Sequence, residues 1–305
     1  MDESVVSVSN FTKVYGEFVA VDDISFDVQQ GEIFGLLGPN GAGKTTTLEC
    51  LEGLRKPDAG KMQIKGVDPQ REPGRLRNVM GVQLQTSGLP ANMTVEESLK
   101  IFSAYHGVQP SGEVLSRLGL EEKRKTQYHQ LSTGQQRRLA LALAVLHDPG
   151  VIILDEPTAG LDVGSRSELH KMMQELKLQG TTLILATHDM AEAEKMTDRV
   201  AILLRGKIVA TGSPRELTAN GSGMTKISVS TEKSILHDLK NSLPAVTHRT
   251  IKEEYCIYFS TEPGPTVSAI LEHLDTNDDN LIDLRVERPS LEERFLEITS
   301  NGGTK

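Results

Sequence analysis

The run GPNGAGKTT, Gly38–Thr46, constrains this chain more than any other segment. It fills the pattern G-x-x-x-x-G-K-[ST] with Gly38, Gly43, Lys44 and Thr45. Before it lies an apolar run, GEIFGLLG, and after it KTTTLECLEGL, with Leu48, Leu51 and Leu54 at helical spacing. A strand that ends in such a loop and opens a helix is the setting in which this pattern binds phosphate. Its glycines let successive backbone N–H groups converge on phosphate oxygens. Lys44 reaches the terminal phosphates, and the Thr45 hydroxyl can hold Mg²⁺. Gly38, Pro39, Asn40, Gly41, Ala42, Gly43, Lys44, Thr45 and Thr46 are therefore the expected phosphate-binding residues.

Two later strand-like runs carry the chemistry such a loop needs. VIILDEP is a buried apolar run ending in Asp155 and Glu156, at the carboxyl end where open α/β sheets bind ligands. Asp155 is expected to hold Mg²⁺ through water. Glu156 is expected to orient an attacking water or take its proton. TTLILATHD ends in His188, expected to contact a γ-phosphate. A solvated strand end would explain any one of these residues alone; with the loop upstream they form a constellation.

A second anion site is suggested by LSTGQQRRLALAL, Leu131–Leu143. Ser132 and Gln135 have capping-box spacing, and Gly134 falls in the first helical turn, where a ligand could approach backbone N–H groups at the positive end of the helix dipole. A capped helix accounts for Ser132 and Gln135 but leaves Gly134 unexplained.

The rest of the chain reads as two domains, 1–220 and 221–305, divided at the Gly/Ser/Thr-rich TANGSGMT. Strands VVSVSNFTKVY and FVAVDDISFDV precede the loop, and KMQIKGVD and VMGVQLQ follow its helix. A helical insert, about 86–147, comes next; its first helix has a Thr94–Glu97 capping box and an apolar face of Leu99, Phe102 and Tyr105. RVAILLRGKIVATG reads as a hairpin turning at Arg205-Gly206. Beyond the break the order is βαββαβ, a ferredoxin-like α+β pattern with KSILHDLKNSL as its first helix, and a last helix starts at Ser290 with Glu293 as box partner. The net charge of -9 disfavours a broad nucleic-acid surface. The acidic start is no signal peptide, and no run approaches the ~20 apolar residues of a membrane span. Cys50 and Cys256 form no metal or redox motif and read as reduced cysteines of a cytosolic protein. DTNDDNLIDLRV matches a calcium loop at Asp275, Asn277 and Asp279, but Asn280 and Val286 replace its turn glycine and bidentate glutamate, so an acidic turn suffices.

Phosphate loop, helical insert, LSTGQ, LDEP, AGLD and a His-ending strand come in the order of ATP-binding-cassette (ABC) ATPases, and residues 5–215 resemble that family. The resemblance implies a P-loop cassette with a mixed sheet, an antiparallel β subdomain and a helical insert. It implies ATP hydrolysis with Mg²⁺. By resemblance, Tyr15 stacks on adenine, and Gln85 touches Mg²⁺ and the attacking water and relays to the membrane partner, with Gln83 two residues back on the same strand face. Asp162 of AGLD sits in the loop that crosses between subunits. Ser132, Thr133, Gly134 and Gln135 bind the γ-phosphate held by another cassette, identical or different, packed head to tail. Thr133 stands where the family usually has Gly, and AGLD replaces a commoner run with Ser. RPSLEERFLEIT resembles the ending of bacterial drug- and antibiotic-efflux cassettes. The implied protein works on the cytoplasmic face of the membrane through a separate integral permease, exporting an antibiotic, drug or lipid-like amphiphile, with no nucleic acid as partner. The rival readings are a soluble cassette acting on nucleic acid or ribosomes and a nucleotide-gated regulator.

Overall fold

The computed structural model describes residues 4–84, 88–219, 224–237, 239 and 243–301. The chain divides into two compact units, Met1–Pro214 and Arg215–Lys305.

In the first unit, β1 (Ser4–Tyr15) and β2 (Phe18–Gln29) form a hairpin, followed by β3 (Ile33–Leu37), α1 (Lys44–Leu51), β4 (Ala59–Ile64), α2 (Pro73–Val79) and β5 (Met80–Gln83). The helical insert carries α3 (Val95–His106), α4 (Glu113–Arg117) and α5 (Thr133–Val145). Then come β6 (Val151–Asp155), α6 (Val163–Leu178), β7 (Thr182–Thr187), α7 (Met190–Met196), β8 (Arg199–Leu204) and β9 (Lys207–Gly212); α8 (Pro214–Ala219) starts at this unit's last residue and runs into the second.

A six-stranded sheet has the order β5-β6-β7-β3-β8-β9, parallel except for the β8–β9 hairpin. Its central strands β3, β6 and β7 are buried at every position, which is why they read as unbroken apolar runs. Parallel pairing sets Leu37 beside Thr187 and Asp155 beside Ala186, so the strands end in line. One face, with Phe34, Leu36, Ile153 and Ile184, packs in a core with α1 and the antiparallel sheet β2-β1-β4. The other face, with Ile33, Ile152, Leu154 and Leu185, packs with residues of α3, α5 and α6.

Local signals held at the helix starts. Thr94 and Glu97 form the expected box on α3, and Ser132 and Gln135 the one on α5. The apolar face expected on α3 stops short: Leu99 is buried, whereas Tyr105 is exposed, edge-on to His106. Leu54 lies beyond α1 and is exposed.

The second unit has β10 (Thr225–Thr231), β11 (Val246–Lys252), β12 (Tyr255–Ser260), α9 (Pro263–Thr276), β13 (Leu281–Glu287) and α10 (Leu291–Asn301). Its antiparallel sheet has the order β11-β12-β10-β13. The expected first helix is different: within 233–243 the described helical residues are a single 3₁₀ turn, Ile235–His237, whose carbonyls accept from the Arg249 guanidinium on β11. The Ser290–Glu293 box caps α10. Asp279 accepts from the N–H groups of Lys233 and Ile235, a structural use for the acidic turn. Among the described residues no helix is long and apolar enough to cross a membrane, and no cluster of three or more His, Cys, Asp or Glu could hold a metal ion.

Candidate functional site

The loop from Gly38 to Gly43 joins β3 to α1 at the carboxyl edge of the parallel sheet. Gly43 holds φ at 107°, and a Cβ there would meet the Ala20 carbonyl oxygen at 2.8 Å, so glycine is required on both counts. Lys44 opens α1 and is buried. Its Nζ donates to Gly38 O at 2.7 Å and to Pro39 O at 3.4 Å, and lies 3.8 Å from Glu156 Oε1. Burial lowers its pKa, opposed by the negative charges of Glu156 and Asp155.

Thr45 Oγ1 donates to Asp155 Oδ2 at 3.5 Å. Burial chiefly, then the charge of Glu156, raises the Asp155 pKa, while Lys44 lowers it. Asp155 Oδ1 is buried without a hydrogen-bond partner among the described residues. A carboxylate with one oxygen uncommitted beside a hydroxyl is the donor chemistry that fits a hard divalent cation.

Glu156 follows with φ at 47°, a left-handed backbone that costs a non-glycine residue of the order of 1 kcal/mol or more. Its N–H donates to Ala186 O at 2.9 Å, anchoring the turn to β7. Its Oε1 lies 2.8 Å from Nδ1 of His188, whose side chain is 56% exposed. The strand-end carboxylate and the strand-end imidazole thus meet, joined by neighbouring parallel strands.

A cavity of about 240 Å³ lies over the loop, lined by Tyr15, Phe18, Ala20, Glu156 and the loop residues from Pro39 to Thr46. Tyr15 is partly exposed at the end of β1, with Lys13 Nζ 5.3 Å and Arg55 Cζ 5.4 Å from its ring centroid. Phe18, directly opposite Tyr15 in the β1–β2 register, escaped the sequence reading. The hairpin spacing was its signal: a two-residue turn, Gly16-Glu17, places two aromatics as a cross-strand pair.

Ser132, Thr133, Gly134, Gln135 and Asp162 do not line this cavity. Gly134 has a structural reason that the sequence does not show. A Cβ there would lie 2.6 Å from Ser165 Oγ and 2.9 Å from Ser165 Cβ, so α6 approaches α5 at the glycine. Asp162 is the N-cap of α6: its carboxylate accepts from Ser165 N at 3.0 Å and Ser165 Oγ at 2.7 Å, and these bonds lower its pKa. Gln85 lies outside the described residues. Gln83 ends β5, buried, with neither side-chain polar atom partnered among the described residues.

The comparisons with known proteins agree with this geometry. Residues 21–159 match the family model described as ABC transporter. The chain is similar to the Nod factor export ATP-binding protein I of Ralstonia nicotianae, 36% identical over 97% of this chain and 94% of that one. It is similar to the linearmycin resistance ATP-binding protein LnrL of Bacillus subtilis, 33% identical over 97% of this chain and 98% of that one. Among solved structures it resembles the dimeric post-hydrolysis state of an ATP-binding cassette bound to ADP and Pi, with a TM-score of 0.63 and 27% identity over 68% of this chain and 98% of that one.

Proposed function

This chain belongs to the ATP-hydrolysing subunits of ABC transporters, and from that premise we propose that it powers an exporter of amphiphilic molecules. The observation that carries the proposal is the length of the likeness. It runs through both units to relatives named for Nod factor export and for linearmycin resistance, rather than stopping with the cassette. The chain works on the cytoplasmic face, held there by a separate integral permease. It acts as a pair of cassettes, with the same or a different partner, packed head to tail.

Each residue then has a task. Tyr15 stacks on adenine, and the N–H groups of the Gly38–Thr46 loop cradle the phosphates. Lys44 exchanges its bonds to the Gly38 and Pro39 carbonyls for terminal phosphate oxygens. Thr45 and Asp155, with Gln85, would hold Mg²⁺, which when bound offsets negative charge on the phosphates. Glu156 orients the attacking water and takes its proton, because its carboxylate is buried beside the phosphate loop. Its contact with Nδ1 of His188 leaves Nε2 as the ring nitrogen available to the γ-phosphate. Ser132, Thr133, Gly134 and Gln135 serve the nucleotide of the opposing cassette, which fits their absence from this chain's own cavity lining. Asp162, at the start of α6, sits in the loop between the two cassettes.

Inverted membrane vesicles carrying the chain and its permease test this. They should accumulate a labelled amphiphile with hydrolysable ATP and stop with Glu156→Gln, which keeps ATP binding. Accumulation that survives Glu156→Gln would remove hydrolysis by this chain as the driving step.

A further inference from the structure

Behind the Glu156–His188 contact lies a second, buried link between the same two segments. Glu192 on α7 is 3% exposed and Thr158, in the turn after Glu156, is 4% exposed. Thr158 Oγ1 donates to Glu192 Oε1 at 2.7 Å. The same oxygen lies 3.0 Å from Nε2 of His170 on α6, itself 6% exposed. Both neighbours thus meet a single atom of Glu192. Its other oxygen and His170 Nδ1 have no hydrogen-bond partner among the described residues. Thr158 and His170 are therefore joined through one oxygen of Glu192.

The sequence spacing gives this oxygen its leverage. Thr158 is two residues beyond Glu156, and Glu192 is four beyond His188. The front contact, at 2.8 Å, involves an exposed imidazole; the rear one is sealed from water, where a charged hydrogen bond is stronger and harder to bend. Two further contacts run along the same seam between α6 and α7. Arg166 lies 3.4 Å from Asp189, the N-cap of α7, and Gln174 Nε2 lies 3.9 Å from Met196 Sδ. Residues 166, 170 and 174 are spaced four apart, one stripe of α6.

We infer that Glu192 is a positioning residue for hydrolysis: through Thr158 and His170 it fixes the separation of Glu156 and His188 and ties that pair to α6, whose first turn holds Asp162 and Ser165. The inference rests on Glu156 and His188 forming the hydrolytic pair. It assigns work to three polar side chains that touch neither the phosphate loop nor the cavity.

The test is ATP hydrolysis by the full chain carrying Thr158→Val, which replaces the hydroxyl with a methyl of similar size, and Thr158→Ser, which keeps the hydroxyl. Each is made in the wild-type and His188→Ala backgrounds, with nucleotide affinity measured separately. Thr158→Val should lower kcat by about tenfold or more, since small misplacements of reacting groups cost on that scale, with KM and nucleotide affinity unchanged. Thr158→Ser should restore kcat. Glu192→Gln, which keeps an acceptor for Thr158, should fall between them. In the His188→Ala background Thr158→Val should bring no further loss, because the contact it positions is gone. Unchanged kcat in Thr158→Val, a rise in KM alone, or the same loss with and without His188 would overturn the inference. If His188→Ala itself left hydrolysis intact, the reading of the pair would fall and this inference with it. If His188→Ala lowered kcat while Thr158→Val did not, the inference alone would fall.

Discussion

At the scale of the residue, the most perturbed carboxyl of the first unit outside the hydrolytic cluster is Glu52, the C-cap of α1. Burial, then the charges of Asp155 and Glu49, push its pKa up to about 7 from 4.5. Below pH 4.5 folded and unfolded chains both hold the proton, and the group costs nothing. As pH rises the unfolded chain ionises first, so the penalty on folding grows until about pH 7 and is constant above. Glu52→Gln should therefore stabilise the chain by about 2 kcal/mol at pH 8, allowing for solvent access, with the gain fading towards pH 4.5. Urea midpoints at the two pH values measure it; an equal gain at both would show that Glu52 is not held protonated. Nothing in the sequence marks Glu52, because its shift comes from neighbours brought in by folding. Lys44, Thr45, Asp155 and Glu156 were legible for the opposite reason: local spacing places Lys44 and Thr45 at the helix start after the phosphate loop, and the apolar run before them places Asp155 and Glu156 at a strand end.

At the scale of the element, helix starts were readable and helix contacts were not. Ser132 and Thr94 cap from within their own few residues, so a capping pattern suffices. Gly134 depends on Ser165, thirty-one positions away on another helix, and sequence alone leaves it looking like a ligand site. Helix α6 carries Leu169, Met172, Met173 and Leu176 at i, i+3, i+4 and i+7, a signal the sequence does offer, whereas α2 and α7 are seven residues each, too short for a periodicity to stand out. The α5–α6 approach gives a packing prediction. Gly134→Ala should destabilise the chain by about 1–3 kcal/mol through overlap with Ser165, although alanine is the better helix former. Adding Ser165→Gly should recover most of the loss beyond its own cost. Denaturant midpoints of the two single variants and the double decide it: simple additivity would mean the helices are not in contact at this point.

At the scale of the whole molecule, the prediction concerns which cassette a signature helix serves. Gly134 is a poor place to introduce charge, since any side chain there disturbs α6. Ser132→Asp is better, because aspartate keeps the N-cap while adding a negative charge facing an incoming phosphate. Chains with Lys44→Ala and chains with Ser132→Asp should each be inactive alone. In a mixed head-to-tail pair one site joins both defects and the other joins an intact loop to an intact signature. Phosphate release should therefore reappear on mixing and peak near equal amounts. A flat response, with mixed pairs confirmed by differential tags, and with no trapping of labelled ATP when Glu156→Gln is added to both, would mean that each signature serves its own loop. The acidic balance and the order of motifs were enough to see a cassette. The partner's identity lies in surfaces that one chain does not record.

The alignment of the parallel strand ends bears on how such proteins diversify. Asp155 sits beside Ala186, and Leu37 beside Thr187, because hydrogen-bonded register fixes them. Glu156 and His188 are each one residue beyond those paired positions. The strand ends that carry them are indexed to the sheet, whatever the lengths of the intervening connections. Between β5 and β6, turns of helix away from Gln85 and the Ser132–Gln135 segment can be gained or shed, reshaping what the chain presents to a partner, without changing the register of the strands. A single residue gained or lost inside β6 or β7 would exchange the places of adjacent side chains and end the lineage's chemistry. Variation is thus channelled: restricted in the five or six residues of each of these strands and at the loop positions that carry the site, and wider in the rest of the connections.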